Sequence, residues 1–155
     1  MPQIEYVTLA NHAEALNGLL YLQGAGWTDV VVEALPNGQL RPVHMGVGVS
    51  ILVGWNETNV AYPMGFRMVH EDGGEPVLAG EGQVETGRPA GTAPGAELRN
   101  VLAIGADVVF PRPGGYRFEV SLGEETKGVS FRVHLPPNAM PRGTGPTAID
   151  LPPLN

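Results

Sequence analysis

Five carboxylates, Glu71, Asp72, Glu75, Glu81 and Glu85, follow one another with no arginine or lysine between Arg67 and Arg88. Two such groups facing across a cleft could share the acid and base work of glycoside hydrolysis. His70, next to Glu71-Asp72, adds an imidazole. The surrounding residues argue for something plainer. "HEDGGEP" is a Gly-Gly turn between two apolar runs, where polar side chains are simply solvated, and no aromatic sugar platform accompanies the acids. A zinc site would need a second histidine at ligand spacing, and a calcium loop would need a D-x-D-x-D-G order. Both are missing, so the acids read as the wet face of a sheet.

The other chemistry-bearing types are scattered. The four histidines are His12, His44, His70 and His134, and no H-x-H followed by a glutamate offers a cupin-type metal site. The three serines, Ser50, Ser121 and Ser130, lie outside any G-x-S-x-G, so no hydrolase nucleophile elbow is expected. "LYLQGAGWTDVVVEAL" (20–35) begins like a dinucleotide fingerprint at Gly24 and Gly26, but Asp29 stands where the third glycine belongs. The residues that follow are β-branched, which favours a strand over the phosphate-facing helix such a site requires. Gly24 and Gly26 are expected to bend the chain between two strands, with Trp27 packing on the edge of the core. No catalytic residue, cofactor or metal site is assigned.

The whole chain narrows the classes further. With 155 residues there is enough chain for one domain with a proper core. A net charge of −7, with Lys127 the sole lysine and no basic run, is unsuited to a phosphate track on nucleic acid. Cysteine is absent, which excludes disulfides and thiolate metal sites. The N-terminal residues lack the basic and apolar regions of a classical signal peptide, and no apolar stretch is long enough to span a membrane. A soluble, cytoplasmic protein is expected. Only 16% of residues are charged, and a surface so poor in charge favours self-association or a partner.

Period-2 alternation dominates the pattern. Tyr116, Phe118, Val120 and Leu122 alternate with polar residues in "GYRFEVSL", as do Val129, Phe131, Val133 and Leu135 in "GVSFRVHL". Side chains on a strand point to opposite faces in turn, so each run has a buried and a wet side. "GEETKG" between them reads as the turn of a β-hairpin. Val47, Val49, Ile51, Val53 and Trp55 form another stripe, and so do Leu102, Ile104, Ala106, Val108 and Phe110. "YPMGFRMVHEDGGEPVLAGEGQVE" reads as two strands joined at residues 71–74. "IEYVTLANHA" and "LNGLLYLQ" supply two more. "AEALNGLL" (13–20) and "AELRNVL" (96–102) could each make a short helical turn, although Asn17-Gly18 interrupts the first. In "FPRPGGYRFEV", prolines stop one strand, Gly114-Gly115 turn the chain, and Tyr116 leads the next strand inward. Its hydroxyl then needs a partner, as in a tyrosine corner.

The fold expected is all-β: an antiparallel β-sandwich, Ig-like or C2-like, of about seven to nine strands over residues 1–135. Residues 87–97 form a Gly/Pro/Ala loop. Residues 136–155 hold six prolines and two glycines, and proline cannot donate to a sheet ladder, so this tail is expected to leave the sheet and run extended. Two readings of the tail stay open: a disordered end, or a strap whose Ile149, Leu151 and Leu154 dock on a neighbouring subunit or partner.

The ordered set "NHAEALNGLLYLQGAGWTDV", "YPMGFRMVHEDGGEPV" and "PRPGGYRFEVSLGEE" resembles a group of uncharacterised small bacterial proteins, many of them actinobacterial, over residues 4–135. The resemblance implies a domain of unknown function with an Ig-like or C2-like sandwich, and it transfers no catalytic residue. The function expected is therefore non-enzymatic: a cytoplasmic interaction or assembly module that self-associates or binds a protein. The alternatives are a small-ligand or carbohydrate-binding sandwich near Trp27, Trp55 and Tyr62, and a hydrolase using the acids of 71–85.

Overall fold

The computed structural model describes residues 1–136. Ile149, Leu151 and Leu154 of the expected strap lie outside the described residues. The described residues form ten strands: β1 (Gln3–Ala10), β2 (His12–Leu16), β3 (Leu19–Gln23), β4 (Asp29–Val31), β5 (Val43–Val53), β6 (Ala61–His70), β7 (Leu78–Glu85), β8 (Leu98–Val108), β9 (Gly114–Leu122) and β10 (Glu125–His134). A 3-10 turn, Trp55–Glu57, ends the run after β5, so Trp55 is not on the strand that its spacing continues. The all-β expectation holds. The count exceeds nine because "IEYVTLANHA" splits at Asn11 and because "DVV" forms a strand of its own.

Neither short helical turn forms. "AEALNGLL" is a hairpin instead: Asn17 (φ 51°) and Gly18 (φ 76°) both take positive φ, which a tight two-residue turn between strands requires. "AELRNVL" feeds β8, whose β-branched and leucine residues pair with β5 from Leu98 onwards.

Two sheets enclose the core. One has the order β1-β5-β8 and the other β4-β10-β9-β6-β7. All named pairings are antiparallel except β10 with β4, which is parallel over Arg132–His134 and Asp29–Val31. Val47, Val49 and Ile51 of one sheet and Phe118, Val120, Leu122 and Phe131 of the other fill the interior, each 4% exposed or less. Burying side chains of this size contributes roughly 1.5–3 kcal/mol apiece. Phe110 lies beyond the end of β8 yet is fully buried, its ring edge-on to Tyr116 and Phe131.

The small β2–β3 sheet forms a third layer. It leaves the end of β1 and crosses the outer face of β5 to reach β8. Gly46 and Gly48 on β5 make this possible. A Cβ at Gly46 would overlap the Ala13 nitrogen, and one at Gly48 would stand 2.8 Å from Leu20. At Gly46 and Gly48 the even-numbered face of β5 is thus bare backbone covered by the hairpin, while the odd-numbered face is aliphatic and covered by the other sheet.

The β9–β10 turn is shorter than "GEETKG". Leu122 pairs directly with Glu125, so only Gly123 and Glu124 turn the chain. Glu125 and Lys127 consequently belong to the strand and lie on the same face as Leu122 and Val120, toward the opposite sheet. There Glu125 accepts a hydrogen bond from the Ile4 amide at 2.9 Å, and Lys127 donates to the Ile4 and Glu5 carbonyls at 2.7 and 3.2 Å. These bonds meet β1 where its register with β5 shifts between Ile4 and Tyr6.

Candidate functional site

The residues singled out for chemistry take up separate structural positions. His70 is 7% exposed at the end of β6. Its Nε2 faces the Pro113 carbonyl at 2.9 Å and its Nδ1 accepts from the Asp72 amide at 3.1 Å. A neutral ring with its proton on Nε2 satisfies both, and its edge-on contact with Tyr116 ties the 71–74 turn to β9. Glu71 lies over Gly115, where any Cβ would collide with its carboxylate. Tyr116 itself is buried, and its hydroxyl donates to the Arg112 carbonyl at 2.8 Å, the tyrosine-corner arrangement that its position predicts. Burial pushes its phenol above the usual range.

Of the acids of 71–85, Glu81 and Glu71 line separate shallow hollows on the outer face of the five-stranded sheet, and Asp72, Glu75 and Glu85 line neither. Glu81 lines one, of about 320 Å³, with Arg67, Glu119 and Ser121. Glu71 lines the other, of about 540 Å³, with Asp29, Arg117 and Arg132. Glu119 is held by arginines on both oxygens, at 2.7 Å from Arg67 and 3.4 Å from Arg117. Asp29 accepts from Thr28 and faces His134 Nε2 at 2.8 Å; His134 first and Thr28 second hold its carboxyl below the usual range. Among the described residues no three His, Asp or Glu side chains are grouped to hold a metal ion.

Trp27, Trp55 and Tyr62 line neither hollow. Trp27 packs edge-on against Phe131, as its place after the Gly24–Gly26 bend predicts, although its indole N–H is buried with no partner among the described residues. Both glycines take positive φ there, and the Gly26 amide returns to the Leu9 carbonyl. Trp55 lies under the Arg88 guanidinium, 3.8 Å from the ring centroid. Tyr62 packs against the core.

What the sequence pattern did not single out is the outer face of the β2–β3 hairpin. Ala13, Leu20 and Leu22 turn inward onto β5. The alternate positions therefore face solvent, and three of them are large and apolar: Leu16, Leu19 and Tyr21, at 52%, 59% and 50% exposure. Leu16 and Leu19 are cross-strand partners at the tip. The signal was available in "HAEALNGLLYLQ": apolar residues occupy both phases of the alternation, so one phase had to be left out.

Arg99 and Glu5 form the best-defined exposed ion pair on the three-stranded sheet. Two bonds of 2.6 and 2.5 Å join guanidinium to carboxylate, and Ser50 donates a third to Glu5 at 2.6 Å. Arg99 first, then Ser50, hold the Glu5 carboxyl below the usual range. At the other end of β8, Asp107 faces His44 Nδ1 at 2.8 Å.

Among the described residues no helix is long and apolar enough to cross a membrane. No curated protein and no solved structure matches the chain. A family model does match, over residues 5–134, nearly the span from the start of β1 to the end of β10. On that match, and in keeping with the resemblance seen in its glycine bend and late tyrosine strand, the chain belongs to DUF6941, a family of unknown function.

Proposed function

We propose that the protein is a non-enzymatic assembly module of the cytoplasm that self-associates or binds a protein partner. The observation that carries this reading is the β2–β3 hairpin. Of the seven large apolar side chains exposed among the described residues, three share its outer face. Leu16, Leu19 and Tyr21 stay half exposed on the hairpin, and clustered apolar side chains on a surface poor in charge mark contact sites. Tyr21 is of the type enriched at such sites.

Native mass spectrometry on protein purified gently from its own cells tests the proposal. A defined oligomer, or a stoichiometric second protein, supports it. The triple variant Leu16→Ser, Leu19→Ser, Tyr21→Ser should then lose the association while keeping its fold. A bare monomer at all concentrations overturns it.

A further inference from the structure

We infer that β8 is the edge on which a second copy of this chain docks, the two β8 strands pairing antiparallel about Ala103. This rests on the assembly reading and names its partner. Among the described residues β1, β8, β4 and β7 are the outermost strands of the two large sheets. β10 is also open before Arg132, where Glu125 and Lys127 reach across to β1, and the β2–β3 sheet has edges only five residues long. Proteins protect such edges by bulges, shortness, charge or cover. β1 has a register shift and gives its Ile4 and Glu5 backbone groups to Glu125 and Lys127. β4 is three residues long. β7 carries Glu81 and Glu85 among glycines. β8 has no bulge and is eleven residues long, and although the β2–β3 hairpin reaches its outer face, nothing among the described residues pairs along its free edge. It pairs with β5 in unbroken register from Leu98 to Val108, and between Arg99 and Asp107 it has neither a charge nor a proline. Among the described residues no backbone group of β8 bonds to anything but β5.

The strand is also complementary to itself. An antiparallel two-fold pairing centred on Ala103 sets residue i opposite 206 − i. Arg99 then faces Asp107 of the second copy, and the same contact recurs at the other end. Leu102 faces Ile104 of the second copy on the core side, where both are still partly open at this edge. Arg99 and Asp107 share the outer face with side chains 56% and 72% exposed; each already has a partner on its own sheet, Glu5 and His44, and the second copy's charge adds to that pair. The match selects one register: moving the centre to Leu102 would bring Asp107 opposite Glu97. The apolar Leu16–Leu19 tip lies on the same side of the molecule, since the hairpin crosses β5 to reach β8. A two-fold of this kind joins two three-stranded sheets into one of six strands.

The test combines sedimentation equilibrium with a cross-link. The wild-type protein should be a dimer. Gly105→Lys has room for its side chain, since nothing lies within 4 Å of where the Cβ would stand, and it places a charge at the middle of the edge. It should weaken the dimer about tenfold or more while melting like the wild type. Asp107→Arg, which sets two arginines opposite each other, should weaken it too. Ala103→Cys introduces the sole cysteine, and directly opposed residues stand about 4.5–5.5 Å apart, within disulfide reach. It should oxidise to a covalent dimer, whereas Gly105→Cys, which faces Val101 of the second copy, should not. A dimer that tolerates both charge changes and fails to cross-link through Ala103→Cys overturns the β8 pairing but leaves the assembly reading standing. A monomer holding a stoichiometric foreign protein does the same. A bare monomer overturns both.

Discussion

Lys127 Nζ donates to the Ile4 carbonyl at 2.7 Å, from the open side of β10, beyond the reach of β4, to the edge of the other sheet. The sole lysine of the chain is thus a structural clamp rather than a surface charge. It serves the place where β1 shifts register and its backbone groups would otherwise lack partners.

Replacing this clamp should be costly. Lys127→Met keeps the apolar stem and removes two charge-assisted bonds, so we expect a loss of about 1.5–3 kcal/mol in urea unfolding. Thr126→Ala, one residue earlier and exposed, should stay within about 0.5 kcal/mol of wild type.

Acid should weaken the fold through Glu5 and Asp29. Both folded-state pKa values lie below the ordinary 4.5 and 3.8. Their contribution is therefore complete above those values and is lost as pH falls through the lower folded ones. The urea midpoint should drop below about pH 4.5. The double variant Glu5→Gln, Asp29→Asn should show a flatter profile over the same window.

The third layer depends on the absence of a side chain at Gly46. Gly46→Ala puts a methyl into the space of the Ala13 nitrogen, and the hairpin backbone must yield to it. We expect a loss of about 1–3 kcal/mol, with rapid amide exchange in β2 and β3. Gly105→Ala meets nothing within 4 Å and should be neutral or stabilising by about 0.4–1 kcal/mol.

The Tyr116 hydroxyl fastens the start of β9 to the 111–113 turn. Tyr116→Phe keeps the ring stack and leaves the Arg112 carbonyl without its donor. The expected loss is about 0.5–1.5 kcal/mol, measured by thermal unfolding.

By itself the sequence determined the all-β class, the core stripes and the tyrosine corner. Alternation in residues 47–53, 102–108 and 116–122 leaves one face apolar, and an apolar face must be buried whatever lies opposite. The Gly24–Gly26 bend was legible for the same local reason, since the conformations it needs are those of glycine. Turn length was not. "GEETKG" is polar enough to be all turn, and only pairing Leu122 with Glu125 made Lys127 an inward residue that holds Ile4, 123 positions away. The third layer was equally hidden: apolar residues in both phases of β2 and β3 do not say which phase meets Gly46 and Gly48. The open edge of β8 was a tertiary matter too. Strand order decides which strands have a neighbour on each side, and alternation along one strand carries no record of that order.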